Sequence, residues 1–288
     1  YNSDMRIDEY FLPANVQPNN GSTTQGTTST LSISRTGIQN TLTYNTTLNK
    51  KHALEILLGQ SIDERNEFRT SLGAMDYPLE SVPTLNMGAT PTEASSSRTI
   101  VRTSSLFGRV NYNYADKYLA SASVRRDGSS RFGPGNRWAV FPSVSAGWMI
   151  SEENFMKGAS NWLSMLKLRT SYGQTGNSNV GYRIYDYYEV GRSAIIGGAE
   201  STGVYASDLG NRSLTWETTT EFNVGVDLGI FNNRFKLTAE YFKRKITDLL
   251  VTNKPLPFYN EINKIAGNIG STQSQGVEIT VCLLYTSP

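Results

Sequence analysis

The chain has 288 residues, with 27 Lys or Arg against 25 Asp or Glu, so it carries no overall basic charge that would indicate a nucleic-acid partner. One Cys and one His exclude a disulfide framework and argue against a metal site built from several His or Cys ligands. No apolar run reaches the roughly 18 residues of a membrane-spanning helix. The N-terminus has no basic segment followed by an apolar stretch, so no signal peptide is predicted.

Residues 1–37, which include the polar run NNGSTTQGTTST, are predicted to be a flexible lead-in or an extracellular loop that precedes the first strand. From there on the dominant signal is period-two alternation of apolar and polar residues, which is typical of half-buried strands. Nine segments show it: 38–46, 52–60, 106–114, 118–126, 137–150, 165–173, 217–231, 234–245 and 275–281.

The connections between these segments alternate in length. Three are short (TTLNK, ADK and NN), and the moderate one at 151–164 has room for a helical turn. The others are longer and rich in Gly, Ser, Thr, Asn and Pro, namely 61–103, 127–136, 174–216 and 249–274. Short turns at one end and long loops at the other predict an all-β fold, part of an antiparallel up-and-down barrel.

Segment lengths favour a membrane barrel over a soluble sandwich, because soluble strands average about 5–6 residues and tilted membrane strands need about 9–11. Trp138 and Trp148 share one face ten residues apart. At about 3.3 Å per residue and a tilt near 40°, their heights differ by roughly 25 Å, the spacing of the two aromatic girdles of such a barrel. Together with Tyr112 and Tyr118 they are the candidate girdle residues. Pro142 predicts a local irregularity in this strand.

Alternation also predicts which side chains share a face. The residues expected to face lipid are Val140, Val144, Ala146, Phe222, Val224 and Val226. The residues expected to face the lumen are Ser143, Ser145, Arg169 and Glu221.

The basic, glycine-rich stretch RRDGSSRFGPGNR, residues 125–137, is predicted to be an extracellular hairpin loop. Asp127-Gly128 and Pro134-Gly135 are expected to form its turns. A phosphate-binding loop would lead from a strand into a helix, whereas a strand follows here.

Four stretches carry a family resemblance: YLASASVRRDGSSRFGPGNRWAVFPSVSAGWMISEENFM (118–156), WLSMLKLRTSYGQTGNSNVGYRIY (162–185), LTWETTTEFNVGVDLGIFNNRFKLTAEYFKRKITDLL (214–250) and GNIGSTQSQGVEI (267–279). In combination they resemble the SusC/RagA family of TonB-linked outer-membrane proteins, with coverage from about residue 38 to 281. The resemblance implies a large barrel with an internal plug in the Gram-negative outer membrane. It further implies a SusD-like surface lipoprotein as partner, energy supplied through TonB, and a glycan or peptide as substrate.

The function expected from this resemblance is uptake of oligosaccharides or peptides, and no cofactor, catalytic residue or metal is predicted. Candidate substrate contacts are the loop aromatics Tyr185, Tyr187 and Tyr188, which could stack on a sugar or peptide, and the loop cations Arg126 and Arg131. The alternative function is a soluble all-β adhesin or carbohydrate-binding module. An enzyme is not predicted, because no spacing of carboxylates singles out a glycosidase pair.

The predicted domains are the lead-in 1–37, a partial TonB-dependent receptor β-barrel over 38–281, and a non-native tail over 282–288, where CLLYTSP breaks the preceding alternation. Against the family pattern, the plug, the TonB box and a closing strand are missing. We therefore expect a fragment that forms an open sheet and performs no transport alone, since an unclosed barrel leaves backbone groups unpaired in hydrocarbon.

Overall fold

The computed structural model describes residues 1–13, 23–196, 199–256, 262 and 264–284. Within them the chain is built almost wholly of strands. They are β1 (Asn2–Leu12), β2 (Gln25–Leu48), β3 (His52–Met75), β4 (Thr90–Tyr114), β5 (Tyr118–Ser129), β6 (Trp138–Met149), β7 (Leu163–Asn177), β8 (Tyr187–Ile196), β9 (Ala199–Asp208), β10 (Glu217–Ile230), β11 (Phe235–Thr247), β12 (Leu250–Pro255), β13 (Lys264–Asn268) and β14 (Ser271–Leu283). Three short 3₁₀ helices lie at Leu85–Met87, Ile150–Glu152 and Asn154–Ala159.

Ten strands form one sheet in the order β1-β2-β3-β4-β5-β6-β7-β10-β11-β14. The last nine of these are the nine strands predicted from alternation, and each pairs with the next, so the predicted continuous sheet is confirmed. In the described part of the chain β1 and β14 are the two edges and do not pair with each other, which agrees with the expected open sheet. The sheet has ten strands in the described part of the chain rather than the nine predicted, because β1 adds one.

The N-terminal interval differs from the expected lead-in or loop. Residues 2–12 and 25–37 lie in β1 and β2, which pair in antiparallel register from Asn2 opposite Arg35 to Leu12 opposite Gln25. At the other end of the chain, β14 continues through Cys282 to Leu283, which pairs with Phe235. Residues 285–288, the rest of the predicted tail, lie outside the described residues.

The predicted loop over 61–103 is also mostly strand. β3 runs to Met75 and β4 begins at Thr90, so β2, β3 and β4 have 24, 24 and 25 residues. At about 3.3 Å per residue these strands measure roughly 80 Å, more than twice the length that a tilted strand needs to cross a hydrocarbon layer. Two carboxylates of this interval form ion pairs within the strands, Glu64 with Arg102 at 2.7 Å and Glu67 with Arg65 at 2.9 Å.

Tight turns join neighbouring strands at one end of the sheet. Non-glycine residues with positive φ form them: Asn49 and Lys50, Ala115 and Asp116, and the run Phe231, Asn232 and Asn233. Asn and Asp tolerate this left-handed region better than most residues, which explains the Asn-rich and Asp-containing sequences here. The short connection predicted at Asn232-Asn233 is therefore confirmed, and it is a tight hairpin turn between β10 and β11.

The longer connections at the other end contain structure that alternation did not predict. β8 pairs with β9 inside the connection after β7, and β12 pairs with β13 inside the connection after β11. The moderate connection after β6 holds two 3₁₀ helices, as its length suggested. In the described part of the chain no helix is long and apolar enough to cross a membrane.

Pro142 lies in β6 opposite Val124 of β5, with an unbroken register on that side. On the other side, pairing with β7 starts only at Ser143, opposite Gly173. Since proline has no N–H to donate, the ladder between β6 and β7 ends where that donor is missing. This is the local irregularity predicted at Pro142.

The register separates the side chains into two faces. One face, called the apolar face below, carries the cross-strand row Ala122, Val144, Tyr172 and Phe222. The opposite face, called the polar face, carries the row Ser121, Ser145, Ser171 and Asn223. The predicted division holds, because Val140, Val144, Ala146, Phe222, Val224 and Val226 lie on the apolar face, and Ser143, Ser145, Arg169 and Glu221 on the polar face.

The chain divides into two compact units, one of residues 1–38 and 62–103 and one of residues 39–61 and 104–288. In the first, Tyr77 is buried, its ring meets Phe11 edge-on at 5.1 Å, and its N–H donates to the Thr24 hydroxyl. The second contains the larger buried cluster, described below, and all the predicted site residues.

Candidate functional site

On β6 itself, the apolar face is uncharged between the two tryptophans. From Trp138 to Trp148 its residues are Val140, Pro142, Val144 and Ala146. Their cross-strand neighbours on β5 are Arg126, Val124, Ala122 and Ala120, and only Arg126, beside Val140, is charged. Val140 and Val144 are each 54% exposed, so the band is open to whatever surrounds the sheet.

A row of rings runs along the apolar face at the end with the tight turns. His52 lies 4.8 Å from Tyr114 between ring centroids, Tyr114 lies 6.2 Å from Tyr118, and Tyr118 stacks on Trp148 at 6.4 Å. Tyr112 shares a 2.8 Å hydrogen bond with His52. Three of the four candidate girdle residues thus lie in one row. Trp138, the fourth, is at the opposite end of β6.

The carboxylate of Glu153 fixes one end of this row. The Tyr118 hydroxyl donates to it at 2.5 Å, the Trp148 indole N–H at 3.1 Å and the Lys117 ammonium at 3.1 Å. These hydrogen bonds, of which the one from Tyr118 has the largest effect, hold the pKa of Glu153 below its ordinary value. Glu153 follows the 3₁₀ helix Ile150–Glu152, so the connection between β6 and β7 is attached to the aromatic row through one acidic side chain.

On the polar face, Arg169 of β7 links three strands. Its guanidinium contacts Asp227 of β10 at 3.2 Å and Glu240 of β11 at 2.6 Å. To reach Glu240 it passes over Gly225, where a Cβ would lie 3.0 Å from the guanidinium. Partly exposed pairs of this kind each contribute about 0–1 kcal/mol, so their main effect is to fix the side chains lining this face.

The polar face also holds a groove of about 740 Å³. Hydroxyl and amide side chains dominate its lining, and they include Asn45, Thr47, Asn111, Ser121, Ser145, Ser171 and Asn223. Its charged lining residues are Glu55, Lys167 and Arg169. Such a surface can hydrogen-bond to another polar surface or to a solute rich in hydroxyl or amide groups.

The long connections pack together around a buried core. It contains Phe132, Phe141, Val180, Ile184, Leu214, Trp216 and Ala266, and Phe132 and Leu214 are fully buried. The ring of Trp216 lies 5.2 Å from Phe132 and 5.6 Å from Phe141, and its indole N–H donates to the Arg137 carbonyl. We call this cluster the loop core.

Only residues 130–137 of the basic stretch 125–137 form a loop, because β5 extends to Ser129 and β6 begins at Trp138. One of the two predicted turns was wrong. Gly133 and Asn136 close a turn around Pro134-Gly135 through a 2.9 Å backbone hydrogen bond. Asp127-Gly128 instead pairs with β6, because β5 extends to Ser129. The phenylalanine of this stretch, Phe132, lies in the loop core and anchors the connection.

The structure places the predicted substrate contacts in different environments. Arg126 lies on the apolar face with its guanidinium 4.7 Å above the Trp138 ring. Arg131 donates to the Ser178 carbonyl at 3.0 Å and so joins two connections. Tyr185 and Tyr188 are 53% and 64% exposed, and the Tyr187 hydroxyl donates to the Tyr182 carbonyl at 2.8 Å. Substrate contact by these residues stays a prediction.

Sequence reasoning did not identify Glu153 or Gly225. Glu153 belongs to the acidic pair in SEENF, which begins three residues after Trp148, and from this position a carboxylate can reach the indole N–H. Gly225 gives no signal by itself, because its importance depends on Arg169 in a different strand.

The whole sheet corresponds to a known family. Residues 2–283 match the family described as "TonB dependent receptor-like, beta-barrel". The chain belongs to this family. The TonB-dependent receptors similar to it include receptor P39 of Formosa agariphila, 36% identical over 84% of the chain and 23% of that receptor. Receptor SusC of Bacteroides thetaiotaomicron is 39% identical over 62% of the chain and 18% of that receptor.

A solved structure agrees with this assignment. The structure of the RagAB peptide transporter superposes on the chain with a TM-score of 0.83 at 26% identity, over 97% of this chain and 31% of that one. The resemblance to SusC/RagA proteins and the all-β receptor fold are thereby confirmed. The chain spans about a quarter of the length of the curated relatives it matches, from 18% to 25%.

Proposed function

We propose that this chain forms part of the wall of an outer-membrane importer of the SusC/RagA type, which takes up oligosaccharides, or peptides, with a SusD-like surface lipoprotein and energy from TonB. One observation carries the proposal. The apolar face of β6 is free of charge over the ten residues from Trp138 to Trp148, while the polar face behind it carries serines. A tilted membrane strand requires this combination of an apolar outer band, aromatic ends and a polar inner face.

The membrane boundaries follow from the aromatic residues. Trp138 marks the boundary at the end with the long connections. The row Tyr112, Tyr118 and Trp148 marks the other boundary, where Glu153 and Lys117 hold the polar edges of the rings on the water side. Tyrosine and tryptophan favour such positions because one end of each ring system is apolar and the other hydrogen-bonds.

Oligosaccharides are the substrate class we favour. The groove on the polar face is lined mainly by hydroxyl and amide side chains, which hydrogen-bond to sugar hydroxyls in several orientations. The exposed rings of Tyr185 and Tyr188 add stacking surfaces in the connection after β7. Peptides are the second class, supported by the likeness to the RagAB peptide transporter.

The experiment is an uptake assay in cells that produce the complete receptor containing this chain. Fluorescent oligosaccharides and peptides are offered with the lipoprotein present or deleted, and with TonB present or deleted. Uptake of one substrate class that requires both TonB and the lipoprotein is expected. Uptake that persists without TonB would contradict the proposed mechanism, and peptide uptake alone would decide against oligosaccharides.

A further inference from the structure

Charged side chains are distributed unequally between the two faces of β5, β6, β7, β10, β11 and β14. All their carboxylates are on the polar face: Asp127, Glu217, Glu221, Asp227, Glu240 and Glu278. The charged side chains of the apolar face are three cations, Arg126, Lys243 and Lys245. The apolar face of these strands therefore carries positive charge and no negative charge.

The three cations lie at the same end of their strands. Arg126 is three residues before the end of β5, and Lys243 and Lys245 are close to the end of β11. A long connection follows each of these strand ends. The cations thus flank the apolar band only at the end opposite to the aromatic row.

Lys243 and Lys245 form a small polar patch with their cross-strand neighbours. Gln275 lies opposite Lys243 and Gln273 opposite Lys245 on β14, and both lysines are exposed. Alternate residues of a strand are about 7 Å apart, so the two ammonium groups can approach a single anionic group from adjacent positions. The amides of the glutamines supply further hydrogen-bond donors. We call these four residues the lysine patch.

We infer that the lysine patch binds the phosphate of an anionic lipid headgroup in the membrane leaflet at the long-connection end. The inference rests on the proposed function, because it requires the apolar face to contact lipid. The patch continues this face along the strand, since Lys243 lies beside Phe222 in the cross-strand register and follows the apolar positions Ala239 and Tyr241. The rows are tilted, because β6 ends one residue after Trp148, whereas β10 continues four residues beyond Val226 of the same row. Lys243 therefore lies nearer the long-connection end than Val144, although the two share a row. A headgroup phosphate therefore lies at the level of the lysines when its acyl chains lie against the apolar band.

A lipid fits this position better than a free anion or an acidic protein. The side of the patch toward the middle of the strand is apolar, which suits an amphiphile with a phosphate at one end. The two cations contribute about five-fold each to the affinity for an anionic lipid, because a basic residue at such a surface supplies about 1 kcal/mol. Their joint removal should weaken binding about thirty-fold.

The experiment uses the complete receptor in mild detergent, titrated with short-chain phosphatidylglycerol and followed by native mass spectrometry. The test variant combines Lys243→Gln and Lys245→Gln. The control is Lys236→Gln, which removes one lysine charge from the polar face of the same strand. The double variant should bind phosphatidylglycerol about thirty-fold more weakly, with the control like the wild type.

Three further measurements distinguish failure of the proposed function from failure of the lysine patch. Tryptophan quenching by brominated phosphatidylcholine in vesicles tests whether the apolar face contacts lipid at all, and its absence would overturn the proposed function. Intact quenching with equal phosphatidylglycerol binding by all variants would overturn only the lysine patch. Full competition by inorganic phosphate would show a free-anion site, and loss of a co-purifying protein without loss of lipid binding would show a protein-docking surface. Either result would overturn the lipid assignment.

Discussion

Replacing Val144 by Arg tests most directly whether the apolar face contacts lipid. Val144 lies six residues after Trp138 and four before Trp148. At about 3.3 Å per residue and a tilt near 40°, it is roughly 15 Å in height from the first and 10 Å from the second, close to the middle of the membrane. An arginine at this depth costs about 2–4 kcal/mol.

Ser145→Arg is the matched control, because the adjacent residue lines the groove on the polar face. Its arginine remains in a polar environment, so we expect a cost below about 1 kcal/mol. The assay is urea-dependent folding of the complete receptor into phospholipid vesicles, followed by tryptophan fluorescence. Equal losses of folding free energy at the two positions would refute the assignment of the faces.

Three further predictions concern single side chains. Because folding lowers the pKa of Glu153, its stabilising contribution is present above the unfolded pKa of about 4.3 and is lost as the pH falls through the lower folded value. Denaturant midpoints of Glu153→Gln should therefore lack an acid-dependent loss that the wild type shows, and parallel pH profiles would contradict this. Gly225→Ala should displace the Arg169 guanidinium and destabilise the receptor by about 1 kcal/mol in urea titrations, whereas an unchanged midpoint would argue against the contact. Phe132→Ala should cost about 3–5 kcal/mol and make the long connections protease-sensitive, whereas unchanged resistance would contradict the loop core.

Nine strands of the main sheet could be predicted because one face of each is apolar and the other polar, and a period of two then remains visible in the sequence. Register could also be anticipated in part, since a slip by one residue would exchange the faces. Val144 and Ser145 show this directly, as neighbours in sequence that lie on opposite faces.

The extensions of β2, β3 and β4 could not be predicted in the same way. The segment TEASSSRTIVRTSS in β4 has polar residues at both odd and even positions, so it shows no alternation although it is strand. Where both faces of a strand are polar, hydrogen bonding to a neighbouring strand determines the structure. The sequence of the segment itself does not show which strand that neighbour is. β1 is different, because Asp4, Arg6 and Asp8 alternate with the apolar Met5 and Ile7, and the prediction of a lead-in overlooked this short period of two.

The loop core and the Glu153 contacts escaped prediction for a different reason. Phe132, Leu214 and Ala266 come from connections separated by more than fifty residues, and composition alone assigned these connections to solvated loops. Likewise, Glu153 gains its role only when Tyr118 and Trp148 become cross-strand neighbours. Contacts of this kind depend on which strands are neighbours in the sheet. That order can be inferred from the sequence only after the strands themselves have been assigned.

The most direct test of the central claim measures what surrounds each face. Single cysteines replace Val144 or Ser145 in a complete receptor in which Cys282, which is exposed, is changed to Ser. Each is then labelled in intact outer membranes with a membrane-impermeant maleimide and with a lipid-soluble one. The account predicts that position 144 reacts with the lipid-soluble reagent alone and that position 145 reacts with the aqueous one. Aqueous labelling of position 144 as fast as that of position 145 would contradict a lipid-facing apolar band.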